Sequence, residues 1–180
     1  MNYLSSLEMG DHVFVVYSNE EAKLRDCFSF LKSDFDNNEF LFIMMDSLSK
    51  DEIFKRIAKE WGFVNMKDLE GIKDDIIITT PKEWYYPDGD FNTYRILKKW
   101  ELTFSNASKR GKRGLRSFVD VTAFFIEGLE NALIPYDEIL EKQFSFPFLS
   151  VYAYKMDDIK KMTPQQYALL NTNHGIWIKD

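Results

Sequence analysis

The sequence predicts an α/β fold: three layers, with a mostly parallel sheet of about six strands and helices on both faces. Two observations predict it. Short apolar runs rich in β-branched residues alternate with longer segments whose apolar residues recur every three or four positions. The short runs are apolar nearly throughout, as expected of parallel strands covered on both sides. Right-handed crossovers between parallel strands follow from the same chirality.

The elements follow in order. His12-Val-Phe-Val-Val-Tyr17 reads as the first strand. Ser18-Asn19 can cap a helix on which Leu24, Cys27, Phe28, Leu31 and Phe35 form one stripe. Asn37-Asn38 ends it, and Phe40 to Met45 reads as the second strand. Ser49 can cap a helix carrying Ile53, Ile57 and Trp61, closed by Gly62. Ile76 to Thr79 is a third strand, stopped by Pro81. Tyr94, Leu97, Trp100 and Phe104 stripe a helix that runs into a basic segment before Gly111. Leu115 to Val119 is the fourth strand and ends at Asp120. Glu127 to Phe144 reads as helix, interrupted at Pro135, which lacks the N–H an interior position needs. Phe148 to Tyr154 is the fifth strand. Thr163-Pro-Gln-Gln166 sets a cap, an N1 proline and a capping-box glutamine in order, so a last helix starts there. Gly175 to Ile178 is a sixth strand at an edge.

No repeat, low-complexity tract or linker divides the 180 residues, which read as a single domain, 1–180. The first ten residues lack the pattern of a secretory signal, and the longest apolar run, Phe40 to Met45, is far short of the ~20 residues that span a bilayer. A cytoplasmic protein without membrane association is expected. A single cysteine, Cys27, excludes an internal disulfide, and two histidines exclude a three-histidine zinc site; no metal and no cofactor are expected. Twenty-three basic against 29 acidic side chains give a net charge of −6, which argues against a nucleic-acid partner. The 16 Phe, 9 Tyr and 4 Trp suit either an aromatic core or an apolar pocket.

Motifs for chemistry are mostly absent. The turn after the first strand, Tyr17-Ser-Asn-Glu-Glu21, has no glycine and no lysine to cradle phosphate, and its two carboxylates would repel one. Gly111-Lys112 precedes a strand instead of following one. Asp88-Gly-Asp90-Phe-Asn92 begins like a calcium loop, but Thr93 and Lys99 stand where the turn glycine and bidentate glutamate belong, so it reads as a turn with a helix cap. No nucleophile elbow occurs, and Cys27 lies on an apolar stripe. No catalytic residue is expected, and the chain does not read as an enzyme.

In open α/β sheets ligands favour the crevice at the strand carboxyl ends. That rule selects Tyr17, Ser18, Asp46, Trp84, Tyr85, Asp120 and Tyr154 as candidate ligand-binding residues. Strand-end aspartates suit helix caps better than a ligand role, and Trp84-Tyr85-Tyr86 suits a pocket wall, a lid or a packed loop. Five basic residues fall within the eight positions Lys109 to Arg116. Lys109, Arg110, Lys112 and Arg113 are therefore candidates for an anion or partner contact, and the same run suits a solvated helix end.

The order of these pieces resembles the MEDS family, sensory domains named for methanogens, methylotrophs and the dichloromethane regulator DcmR. The resemblance rests on Gly10-Asp-His12 leading into a strand ending at Tyr17, then Ser18-Asn-Glu-Glu21. It continues through Tyr86-Pro-Asp-Gly-Asp-Phe91, Arg113-Gly-Leu-Arg116 to Asp120, and Tyr152-Ala-Tyr154. It closes on His174, followed here by Gly175 where the family often has proline. The resemblance implies a RecA/KaiC-like domain that has lost its phosphate loop and serves signal transduction by recognising small molecules. It singles out His12 and His174 as family-pattern positions. It also implies a signalling protein partner or a homo-oligomer, since no DNA-binding or kinase segment is present in the sequence. Three functions are weighed. The first is a non-enzymatic sensory domain binding a small molecule at the strand carboxyl ends. The alternatives are a divergent RecA-like nucleotide-binding protein or ATPase using Asp120, and a protein–protein adaptor.

Overall fold

In a computed structural model, residues 3–32, 38–63, 66–132, 135, 136, 139, 146–173 and 176–179 are described. Their strands are β1 (His12–Tyr17), β2 (Phe40–Met44), β3 (Ile76–Thr79), β4 (Leu115–Asp120), β5 (Phe148–Lys155) and β6 (Ile176–Lys179). They form one parallel sheet in the order β3-β2-β4-β5-β1-β6. The helices that fill the crossovers are α1 (Glu20–Lys32), α2 (Lys50–Trp61), α3 (Met66–Lys73), α4 (Pro81–Tyr85), α5 (Thr93–Lys109) and α6 (Thr122–Ile126). Two more helices, Met156–Ile159 and Pro164–Asn173, follow β5.

The pleat divides the strand residues between two cores. Val13, Val15, Tyr17, Leu41, Ile43 and Phe118 face α1, α2 and α3, where they meet Cys27, Phe28, Ile53, Ile57 and Trp61. Phe14, Val16, Phe42, Met44, Val119, Tyr152 and Tyr154 face the other way, against Trp84, Tyr85, Ile96, Trp100, Phe104 and Phe124. Most of the aromatic residues gather in that second layer. Trp100 stands 4.6 Å from Phe42, 4.9 Å from Trp84 and 5.4 Å from Phe148, ring centre to ring centre. The aromatic surplus is therefore chiefly a core.

Local chemistry sets the boundaries. Ser49 and Glu52 form a reciprocal capping box at the start of α2, and Gly62 ends it in the left-handed conformation at φ 78°. Thr80 and Glu83 form a second capping box at α4, with Pro81 at the first helical position. Pro81 thus stops β3 by starting a helix. Thr163 and Gln166 cap the final helix in the same reciprocal way, with contacts of 2.8 and 3.2 Å.

The structure revises three sequence expectations. The buried face of α5 is Ile96, Trp100, Thr103, Phe104 and Ala107, whereas Tyr94 is 80% exposed. Trp100 and Phe104 stay on the stripe, which starts at Ile96 instead of Tyr94 and runs on to Ala107. The helix expected from Glu127 is preceded by α6, and a turn at 127–128 with Gly128 at φ 67° separates α6 from helical residues 130–132. Residues 135, 136 and 139 are helical, and the rest of that expectation lies outside the described residues, as do Phe35 and His174. The short helices α3 and α4 had no counterpart in the sequence reading.

His12 enters β1 at the amino-terminal edge of the sheet, edge-on to Phe148 with centroids 5.4 Å apart. Burial lowers its pKa to about 4, against the opposing pull of Asp11. The unfolded chain takes up this proton near pH 6.5 and the folded chain only near 4, so stability falls as pH drops through that window. The loss approaches about 3 kcal/mol at most. His12→Phe should flatten the difference in urea midpoint between pH 6.5 and 4; an unchanged pH profile would refute this assignment.

Candidate functional site

The two faces of the sheet part at the carboxyl ends of β1 and β4. Tyr17 leads into α1 on one face, while Asp120 leads into α6, whose Phe124 packs on the other. Between them lies a cavity of about 220 Å³ lined by Tyr17, Glu20, Lys23, Asp46, Ser47, Asp120, Thr122, Ala123, Ile126 and Lys155. This is the crevice in which doubly wound sheets bind ligands.

Its floor is a buried ion pair. Lys23, on the first turn of α1, is 3% exposed, and Asp120, the last residue of β4, is 5% exposed. The Lys23 ammonium donates to Asp120 Oδ2, contacts Glu20 Oε1 at 2.6 Å and donates to Ser47 Oγ at 3.4 Å. It also stands 4.9 Å from the centre of the Tyr17 ring. All three of its protons are thereby engaged. Burial alone would lower the Lys23 pKa, but the charge and hydrogen bond of Asp120, helped by Glu20, hold it above the ordinary lysine value. The second Asp120 oxygen accepts from the Thr122 backbone N–H at 3.0 Å, and the Thr122 hydroxyl shares a hydrogen bond of 2.8 Å with the Tyr17 hydroxyl. Tyr17 is pushed up to about 12 by burial and by the Asp120 charge, with the Thr122 bond opposing.

Asp46 and Lys155 flank this floor from the ends of β2 and β5. Burial, then the charges of Asp120, Glu83 and Glu127, raise the Asp46 pKa, and Lys23 opposes them. Exposed Ile126 sits at the mouth.

The residues chosen from strand ends fall into two groups. Tyr17, Asp46 and Asp120 come together around the cavity, and Ser18 is the exposed residue next to Tyr17. Trp84, Tyr85 and Tyr154 do not line it; they are buried in the aromatic core on the opposite face. Tyr154 directly precedes Lys155, so alternation alone sends it away from Tyr17. Sequence reasoning missed Lys23, although a signal was there. Lys23 lies one turn before Cys27 and two before Leu31, extending the buried stripe of α1 toward the strand ends.

The basic run lies at the other edge of the sheet, before β3 and β4. Arg110 and Lys112 bind the two oxygens of Asp75 at 2.8 and 2.6 Å and, despite burial, hold its carboxyl below the usual range. Lys109 and Arg113 are exposed and form no ion pair among the described residues. These four cations therefore do not approach the cavity.

In the turn before α1, Asn19 Oδ1 accepts from the backbone N–H groups of Glu21 and Ala22 at 2.8 and 3.3 Å, filling the positions an anion would take. Among the described residues, no three of His, Cys, Asp and Glu converge to hold a metal ion, and no helix is long and apolar enough to cross a membrane.

Comparison with solved structures shows a RecA-like fold. The flagellar accessory protein FlaH from Methanocaldococcus jannaschii superposes with a TM-score of 0.57 at 10% identity, over 96% of this chain and 72% of that one. A second solved structure, an ATPase domain, gives 0.60 at 12% identity, over 96% of this chain and 70% of that one. No curated protein matches in sequence. The sequence pattern of one family covers residues 11–168, nearly all of the sheet and both helical layers. By that match the chain belongs to the MEDS family, the MEthanogen/methylotroph, DcmR Sensory domain.

Proposed function

We propose that this domain senses a small polar molecule bound in the cavity at the strand carboxyl ends, without chemical turnover. The observation that carries the reading is the Lys23–Asp120 pair beneath that cavity. It satisfies the buried polar groups of the floor internally and leaves groups at the rim to meet a ligand. Membership of a family of sensory domains supports the role. Binding would be read out by a signalling partner or by a second copy of the chain, in a cytoplasmic setting.

The test is a thermal-shift screen of the full chain against small organic compounds of varied charge. Hits should raise Tm by a few degrees, as mass action requires when ligand exceeds Kd many-fold. Ser47→Tyr, which places bulk at an exposed position on the cavity rim, should abolish the shift. A screen without hits, or hits indifferent to Ser47→Tyr, would overturn the proposal.

A nucleotide-binding reading draws on the fold shared with an ATPase domain. The occupied helix start and the engaged Lys23 and Asp120 weigh against it. Stabilisation by millimolar Mg-ATP that disappears in Asp120→Asn would restore it.

A further inference from the structure

We infer that the ligand of this cavity is a short zwitterion, carrying an ammonium group toward Asp46 and a carboxylate or comparable anion toward Lys155. The inference rests on the proposed binding role and specifies its chemistry.

Three carboxylates and two ammonium groups line the cavity. Lys23 is used up by Asp120, Glu20 and Ser47. Asp120 is occupied by Lys23 and the Thr122 N–H, and the Tyr17 and Thr122 hydroxyls satisfy each other. Two charges remain. Asp46 and Lys155 form no hydrogen bond or ion pair among the described residues, and both face the cavity. Asp157, the acid nearest Lys155 in the chain, is bonded to Lys160 at 3.1 Å.

The sheet sets the backbones of these two residues on either side of the β4 end. Met44 pairs with Val119 and Asp120 with Ala153, so continuing the register sets Asp46 level with Val121 and Lys155 level with Thr122. They stand at nearly the same height on either side of the β4 end. Two strand spacings separate their backbones, about 9–10 Å. The cavity of about 220 Å³ leaves room for only a short ligand between them.

Singly charged molecules fit less well. A simple anion would meet Lys155 but enter a cavity with an excess of carboxylates. A simple cation would meet Asp46 and leave Lys155 unmatched. A zwitterion answers both, and Ala123 and exposed Ile126 offer apolar contact to its connecting carbons.

The experiment uses the full chain and a series of defined probes at about 10 mM, well above the Kd that a mass-action shift requires, in buffer of constant ionic strength. Glycine, β-alanine, 4-aminobutanoate and 6-aminohexanoate vary the charge separation; butylamine and butanoate carry one charge each. The short members of the zwitterion series should raise Tm by a few degrees, with both singly charged probes inactive. Asp46→Asn and Lys155→Gln should each weaken the effect at least tenfold in the half-saturating concentration. Equal stabilisation by butylamine or butanoate, or full response in both variants, would overturn the zwitterion assignment. So would inactivity of every zwitterion while another screened compound binds in a manner sensitive to Ser47→Tyr; that result would leave the sensing role standing. A screen with no cavity-directed hit at all would remove the sensing role itself.

Discussion

Lys23→Met should destabilise the domain by about 3–5 kcal/mol, because it leaves the buried Asp120 carboxylate without its counter-charge. At this chain length such a loss corresponds to a fall in Tm of roughly 6–20 °C. The reason is an asymmetry in the network. Asp120 would keep only the Thr122 N–H at 3.0 Å, whereas Lys23 in Asp120→Asn would keep Glu20 at 2.6 Å, the Ser47 hydroxyl and the Tyr17 ring. Asp120→Asn should therefore cost less than Lys23→Met, about 1–3 kcal/mol.

The double variant distinguishes an ion pair from general packing loss. Lys23→Met with Asp120→Asn removes both charges and should recover much of the stability lost by Lys23→Met alone, since replacing a buried pair is often close to neutral. Urea midpoints of the four proteins at pH 7 measure this. A Lys23→Met deficit below about 1 kcal/mol, the range of exposed pairs, or a double variant no better than that single one, would show that the pair does not hold the floor of the cavity.

How much was legible in the sequence depends on which physical rule a residue obeys. Strands β1 to β5 were visible because nearly every residue in them is apolar, and α2 was visible because Ser49, Glu52 and Gly62 all mark its ends. Strand order was not legible. It depends on crossovers between distant segments, such as the insertion of β4 and β5 between β2 and β1. For the site, strand-end position located Tyr17, Asp46 and Asp120, but it takes no account of the pleat. Applying the two-residue alternation would have sent Tyr154 away from Tyr17. Trp84 and Tyr85 lie away from the cavity for a different reason: Thr80, Pro81 and Glu83 turn the end of β3 into a helix, which carries those rings into the core. Ser47, Thr122 and Lys155 stand at the same strand ends, but only the fold brings them and Glu20 around one cavity.

The basic run divides in the same way between charges that hold the fold and charges that do not. Arg116 is 2% exposed, with its Nε donating to Glu39 Oε2 at 2.8 Å and its guanidinium 4.6 Å from the centre of the Phe30 ring. Glu39 is itself 8% exposed. Arg116→Met should therefore cost about 3–5 kcal/mol by removing the buried guanidinium that pairs with that carboxylate. Arg116→Lys should recover only part of this loss, because an ammonium cannot reproduce the planar contact on Phe30. Exposed Lys109→Ala and Arg113→Ala should change stability by no more than about 0.5 kcal/mol. The four urea midpoints at pH 7 decide it. If Arg116→Met matched the two surface variants, the run would be one solvated patch, and its density in the sequence would carry no structural meaning. A loss confined to Arg116 would leave only Lys109 and Arg113 free to meet a partner, since Arg110 and Lys112 are held by Asp75. Any partner contact at this edge would then present two positive charges instead of five.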